Sequence, residues 1–412
     1  MKQKMLSFLG NSDYRKLVES FLSLSFIRVA DFLLPILVLP YLISVIGVEK
    51  FGLVAFASSL VVYFLNITQF GFSLSAVREL SSSQKDIERV EQIFNLVNNT
   101  KIFLLIISTV VYLAIIVIVP EFKEHLLLYV FSFGLVIGDV LFPKWFFQGI
   151  EEMRFITLIN FLLKLSYLVL VFLFIKSESD YVFVPLIQSI GSILGGIYSL
   201  YIIKKKYKIN FFLVSFNAVK REIVNSFSSF TTLIIPTLYS NTSIFLLGAF
   251  TNNTFVGYFS GALRISNAFS SFNVILTRTF YPFVNKTKND IGKINKVILI
   301  SGFVVTLLML FSSKYSVAMV LGEDMIKSKP IVMILSLTPV LLSIRTVYGI
   351  NSLLVKGMDK LYMYIALFSS ITGLVMAFVF IPLFSFYGAA IVVVSSQSLY
   401  ALLSFIYANK KV

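Results

Sequence analysis

The sequence predicts an all-α integral membrane protein with about twelve transmembrane helices, on three observations. First, 58% of the 412 residues are hydrophobic and only 13% are charged, with a mean hydropathy of +0.90. A soluble chain of this composition could not cover its apolar surface, whereas a bilayer takes the place of a polar exterior. Second, the apolar residues fall in continuous runs of helical length, such as 102–119. Strands of a closed barrel, the alternative spanning structure, would alternate. Third, Lys and Arg crowd into every second connection between runs.

Taken in order, the spans are predicted near 21–46, 51–72, 102–119, 126–148, 155–175, 181–203, 223–249, 254–284, 294–312, 330–354, 361–381 and 383–408. The segment before them is polar, with Lys2, Lys4, Asp13, Arg15 and Lys16. It lacks a short apolar core followed by small cleavage-site residues, so the first span is expected to remain in the mature protein. No polar stretch is long enough for a soluble domain. Cysteine is absent, which excludes disulfides, zinc–thiolate sites and thiol nucleophiles.

The formal net charge is +15, but the basic residues occupy short connections rather than one soluble face. They are therefore read as topology, and no nucleic-acid partner is expected. With the N-terminus inside, 24 of the 35 Lys and Arg fall in inner segments or just inside the adjoining span ends (Lys144 and Lys296), 6 in outer connections and 5 elsewhere within spans. This bias predicts that both termini are cytoplasmic.

The longest basic connection follows the sixth span and divides the chain into an N-terminal six-helix lobe (1–203), a cytoplasmic linker (204–222) and a C-terminal six-helix lobe (223–412). The halves match where each begins. Pro35 precedes Gly47 by twelve residues, then Phe51-Gly52 opens the next helix; Pro236 precedes Gly248 by twelve, then Val256-Gly257 does the same. An even number of spans per half makes this a parallel repeat. Proline removes one backbone hydrogen bond and bends a helix, so Pro35 and Pro236 are read either as paired hinges or as tolerated kinks.

Ionisable groups within spans are costly and usually face a cavity or a partner. Arg28 and Asp31, three residues apart, can pair on one helix face. Lys164, Arg264 and Arg345 leave an excess of positive charge, which suits an anionic substrate such as a phosphate or pyrophosphate. Lys144 and Arg278, near span ends, are suited to snorkelling, and Asp139 lies in the fourth span. Asn66, Gln69 and Gln148 could line a sugar-binding cavity, and each serves equally as an interhelical hydrogen bond. His125, the single histidine, sits at a span end where packing or solvation outweighs proton coupling. Catalytic and metal-binding motifs are absent from the sequence, as is any phosphate-binding Gly-rich loop with Lys-Ser/Thr, so ATP-driven transport by this chain alone is not expected.

Several segments carry a family resemblance. The run from Pro40 to Gly52 (PYLISVIGVEKFG) resembles the first outer turn of Wzx-type polysaccharide repeat-unit flippases, of the multidrug/oligosaccharidyl-lipid/polysaccharide exporter superfamily. Gly71-Phe72-Ser73 with Arg78 is similar to the end of their second helix. Trp145-Phe146-Phe147-Gln148-Gly149-Ile150-Glu151 resembles their Trp-x-x-Gln-Gly-x-Glu segment, and Leu247-Gly248 with Val256-Gly257-Tyr258-Phe259-Ser260 their seventh-to-eighth helix turn.

The resemblance implies two six-helix lobes around a central cavity, alternating access, and a substrate of undecaprenyl pyrophosphate carrying a short oligosaccharide. It implies a bacterial inner-membrane protein that flips O-antigen or similar repeat units to the periplasmic leaflet, alongside a polymerase and chain-length machinery. It implies coupling to a cation gradient; nothing in the sequence identifies H+ or Na+. On that reading Arg28, Lys164, Arg264 and Arg345 attract the head group, Gln148 faces sugar, Asp31 and Asp139 serve coupling or gating, and no cofactor is needed. A drug exporter of the same superfamily would favour an acidic or aromatic cavity, against the cationic excess here. A membrane-embedded polymerase or ligase would need a sizeable outer loop, and the longest outer connection, about 313–329, is short and lacks His.

Overall fold

A computed structural model describes residues 12–235, 237–286 and 291–410, with side chains for 36–235, 237, 241–273 and 292–410. Helices account for nearly all of it, and no strand occurs among the described residues. They are α1 (Ser12–Gln69), α2 (Ser75–Ser82), α3 (Ile87–Ile118), α4 (Pro120–Lys123), α5 (Leu126–Leu141), α6 (Lys144–Gly149), α7 (Met153–Phe174) and α8 (Phe183–Tyr207). After the basic linker come α9 (Phe216–Ile234), α10 (Thr237–Phe250), α11 (Asn253–Lys286), α12 (Ile291–Leu321), α13 (Lys329–Leu335), α14 (Thr338–Arg345), a π-helical segment (Thr346–Leu354) and α15 (Asp359–Asn409).

Two of these are too long for one crossing. At about 1.5 Å per residue, the 58 residues of α1 would run nearly three times the roughly 30 Å hydrocarbon thickness. The chain breaks it at Gly47, whose φ of 74° lies in the region open to glycine. The 51-residue α15 breaks at Ser385, with φ 50°, three residues after Pro382. Each therefore supplies two spans. Eight helices among the described residues are long and apolar enough to cross a membrane. With the two kinked helices resolved into limbs, and with α9–α10 and α11 added, twelve helices emerge.

The chain forms two compact units, Tyr41–Gly257 and Met1–Pro40 with Tyr258–Val412. In the first, α5 and α8 pack through small residues. A Cβ on Gly138 would lie 2.3 Å from Ser192 Oγ, and one on Gly134 2.6 Å from Ser189 Cβ; Ser189 Oγ donates to the Phe131 carbonyl at 2.6 Å. Within lipid, where apolar burial gives helices little reason to associate, such close backbone approach is the source of packing energy. In contrast, α7 buries only Ile159 and Val171 and exposes Leu162, Leu165, Val169, Leu173 and Phe174. Water would not tolerate that face; acyl chains do.

Residues matched in the sequence repeat also meet. A Cβ on Gly52 would lie 1.7 Å from the Asn253 carbonyl oxygen, and one on Gly257 2.5 Å from that of Val48. Only hydrogen at both positions allows the two turns to touch. In the second unit, α13, α14 and the π segment pack on α15, with Leu353, Ile365 and Tyr400 in the core.

Two boundaries differ from expectation. The third span was expected from residue 102, but α3 begins at Ile87, where Asp86 caps it by accepting from the Arg89 amide. Lys101, counted as a loop cation, therefore lies inside a helix. The tenth span is composite: a 3-10 turn at Glu323–Ser328, two short α-helices and the π segment.

Candidate functional site

The cluster with the most concentrated charge lies where α1, α3, α5 and α6 converge. Asp139, on α5, is 7% exposed. Its Oδ1 accepts from Lys144 Nζ at 3.1 Å, and its Oδ2 accepts from Gln69 Nε2 at 3.3 Å. Lys101 Nζ lies 3.6 Å from Oδ2 and donates to the Asp139 carbonyl oxygen at 3.1 Å. Lys101 is 3% exposed, so its charge depends on this carboxylate. The Lys144 side chain is 45% exposed and its ammonium lies 5.1 Å from the Phe142 ring centroid.

Two ammonium groups on one carboxylate leave a net single positive charge, with its solvent-reaching end at Lys144. Such a centre attracts anions and opposes the entry of a metal cation beside Asp139. Lys144 is thus held by Asp139 as well as lying at a span end.

Aromatic packing fixes this corner. Trp145, Phe146 and Phe147 are buried at 4%, 0% and 0% exposure; Phe94 stacks on Trp145 at 5.9 Å and meets Phe146 edge-on at 5.4 Å. The aromatic part of the Trp-x-x-Gln-Gly-x-Glu segment is therefore core, and Gln84 ties it down through the Gly149 carbonyl at 2.9 Å. Gln148 alone in the segment's first four residues is exposed.

Other expected residues are placed separately. Lys164 is half-buried on α7, whose outer face meets lipid. Arg345 ends α14 at the start of the π segment, half-buried, with its guanidinium 5.0 Å from the Tyr400 ring centroid. Arg264 is exposed on α11. Arg28, Asp31 and Pro35 lie outside the residues whose side chains are described, as does Arg278, and Pro236 lies outside the described residues.

Asn66 and Gln69 prove to be interhelical hydrogen bonders. Asn66 Nδ2 donates to the Val62 carbonyl at 2.8 Å and reaches Thr237 Oγ1 at 3.5 Å. Tyr63 and Thr242 hydroxyls meet at 2.7 Å, and Asn241 Nδ2 donates to the Ser59 carbonyl at 2.9 Å, making a polar seam between α1 and α10. His125 pairs through Nδ1 with the Tyr181 hydroxyl at 3.1 Å; partial burial, then Lys50, holds its pKa below the ordinary value.

The sequence reading missed Lys101. Its signal was present in Asp86, a helix-capping residue fifteen positions upstream: a helix starting there carries Lys101 into the fifth turn and to membrane depth.

Residues 17–288 match the model of a family described as polysaccharide biosynthesis protein. The chain belongs to that family. The chain is 28% identical, over 97% of its length and 99% of the relative's, to a protein of Escherichia coli (strain K12) named as an O-antigen transporter. A Shigella dysenteriae protein of the same name is 25% identical over 92% of this chain and 95% of its own. Both relatives are named as transporters, not enzymes.

Two solved structures share the fold. A lipid II flippase, MurJ, in an inward closed conformation has a TM-score of 0.68 at 15% identity, covering 94% of this chain and 87% of its own. An inward-facing multidrug resistance MATE family transporter of the MOP superfamily has a TM-score of 0.66 at 16% identity, covering 90% and 93%. The chain is thus a multi-pass membrane protein with a MATE- and MurJ-like fold.

Proposed function

We propose that this protein is a flippase of the bacterial inner membrane. It carries oligosaccharide repeat units linked to undecaprenyl pyrophosphate from the cytoplasmic to the periplasmic leaflet by alternating access. The observation that carries this reading is the cationic cluster in a family member whose relatives are named O-antigen transporters: Asp139 is outnumbered by Lys101 and Lys144, and the sequence carries three more cations, Lys164, Arg264 and Arg345, within its expected spans. An anionic pyrophosphate gains from such a field, while a cationic drug is repelled by it. The polyprenyl tail would remain in lipid.

Arg264→Ala and Arg345→Ala test the reading in a strain lacking its own flippase. Each is expected to lower surface polysaccharide by tenfold or more at normal membrane abundance, with Lys at either position restoring part of it. Unchanged polysaccharide in both variants would remove these residues from substrate handling. Failure of the wild-type chain to restore any polysaccharide would remove the function.

A further inference from the structure

The Tyr41–Gly257 unit holds a second polar feature. A cavity of about 550 Å³ opens between residues 49–56, 121–129 and 248–254, beside the Gly52–Gly257 contact. Charge counting assigns these turns to the outside. Its volume falls in the roughly 300–1,000 Å³ range of small-molecule sites.

The lining has a consistent chemistry. Glu49, Glu121 and Glu124 contribute carboxylates, Asn252 and Asn253 amides, and Phe56 an aromatic face. No Lys or Arg lines the cavity: Lys50, next to Glu49, lies over the Tyr181 ring at 5.3 Å. None of the three carboxylates is in an ion pair among the described residues. Nor do three of the acidic and imidazole groups converge closely enough, among the described residues, to chelate a metal ion.

Tyr129 supplies an independent sign. It lines the cavity and is 1% exposed, with its ring packed on Phe122 at 4.6 Å. Its backbone carbonyl accepts from Tyr112, but its own hydroxyl has no hydrogen-bond partner among the described residues. Buried phenols normally find one. The hydroxyl is not fully enclosed, so water or a ligand in the cavity can supply that partner.

We propose that this cavity is a sugar subsite, taking a pyranose that carries hydroxyls and no negative charge. Carboxylates and amides accept and donate to adjacent hydroxyls, Tyr129 completes its hydrogen bond to one of them, and Phe56 covers the apolar ring face. Three unpaired carboxylates repel a uronic acid or a phosphate. The inference rests on the flippase reading and deepens it: the subsite would hold one sugar of the repeat unit after it reaches the outer side.

The test uses purified full-length protein in lipid nanodiscs, with saturation-transfer difference NMR of N-acetylglucosamine, galactose and glucuronic acid. The first two are expected to be saturated and glucuronic acid not. Tyr129→Phe, which keeps the ring packing, should weaken binding about three- to tenfold, as loss of one hydrogen bond implies. Glu121→Gln with Glu124→Gln should admit glucuronic acid. Thermal melting of each variant separates lost binding from lost folding.

No saturation of any sugar by the wild type, equal binding of glucuronic acid by the wild type, or signals unmoved by either variant overturns the proposal. So does displacement of both sugars by millimolar calcium or spermidine in the wild type, which would mark a cation site. Surface polysaccharide in the complemented strain separates the two readings: wild-type rescue with a failed sugar panel refutes the subsite alone, and failed rescue refutes the flippase.

Discussion

Asp139 shows what one residue must do to be kept at membrane depth. Its charge is balanced by two lysines and an amide, so each partner depends on the others. Breaking a buried pair from one side leaves a naked charge and costs about 3–5 kcal/mol. Asp139→Asn is therefore expected to destabilise the purified protein strongly, and Asp139→Asn with Lys101→Met to recover much of the loss. Lys144→Ala should cost far less, because that side chain is 45% exposed. Melting curves of the three variants check the order; a double variant no better than Asp139→Asn would show that Lys101 does not depend on Asp139. Glu222 makes a second residue-scale case, this time near the basic linker. It is 8% exposed and accepts from Ser226 Oγ at 2.8 Å, and Ser226 in turn meets Ser75 Oγ at 3.0 Å. Burial raises its pKa, Ser226 works the other way, and Glu79 adds to the rise. A carboxyl with a raised folded pKa contributes stability below its unfolded pKa and loses it as pH rises through the folded value. Glu222→Gln should thus melt higher than wild type at pH 8, with the gap closing as pH falls toward the ordinary value of 4.5. A gap independent of pH would show that ionisation of Glu222 plays no part.

At the scale of elements, the basic linker behaves differently from its composition. Its lysines mark it as a connection, yet residues 209–212 are laced along α3. Asn95 Nδ2 donates to the Asn210 carbonyl at 2.8 Å, and Asn95 Oδ1 accepts from the Phe212 amide at 2.9 Å. Asn99 Nδ2 donates to the Phe212 carbonyl at 2.9 Å, and Ile209 is 1% exposed. Removing these bonds by Asn95→Ala with Asn99→Ala should speed tryptic cleavage at Lys204–Lys208 by about tenfold or more, since local opening governs such cuts. Mass spectrometry of timed digests reads it, and equal cleavage in both proteins would mean the clamp does not hold the segment. The same region explains which parts of the sequence were legible. Span positions were readable because apolar runs must match bilayer thickness, a constraint each helix meets alone. The start of α3 was not, because residues 87–101 are a polar extension whose helicity shows in the Asp86 cap and in packing on the linker. Lys101 was hidden for the same reason, whereas Asp139 stood out as an acid inside an apolar run. The segment after Arg345 was legible as helix but not as π-helix, which apolar periodicity does not distinguish; Gly349 within it lets the Tyr362 ring approach, a Cβ there falling 2.5 Å from that ring.

For the whole molecule, the charge distribution and the helix count constrain each other. Twelve helices, an even number, return the chain to the side on which it started. The 24 to 6 division of Lys and Arg between alternate connections predicts the cytoplasm as that side. Moving Lys101 from a connection into α3 takes one charge from the inner set and leaves the bias near four to one, so the assignment does not hang on it. The orientation also decides the meaning of the features above. On the predicted orientation, with the basic linker inside, Glu222 would lie on the cytoplasmic side and the Glu49, Glu121 and Glu124 cavity would open outward, where a delivered sugar would meet it. Reporter fusions at Lys206 and Asp324 are expected to signal cytoplasm and periplasm respectively, and one after residue 408 cytoplasm. A periplasmic signal at Lys206 with a cytoplasmic one at Asp324 would invert the molecule. The cavity would then face the donor side and become an entry site, and the sugar panel would still bind while the direction of the proposed path reversed.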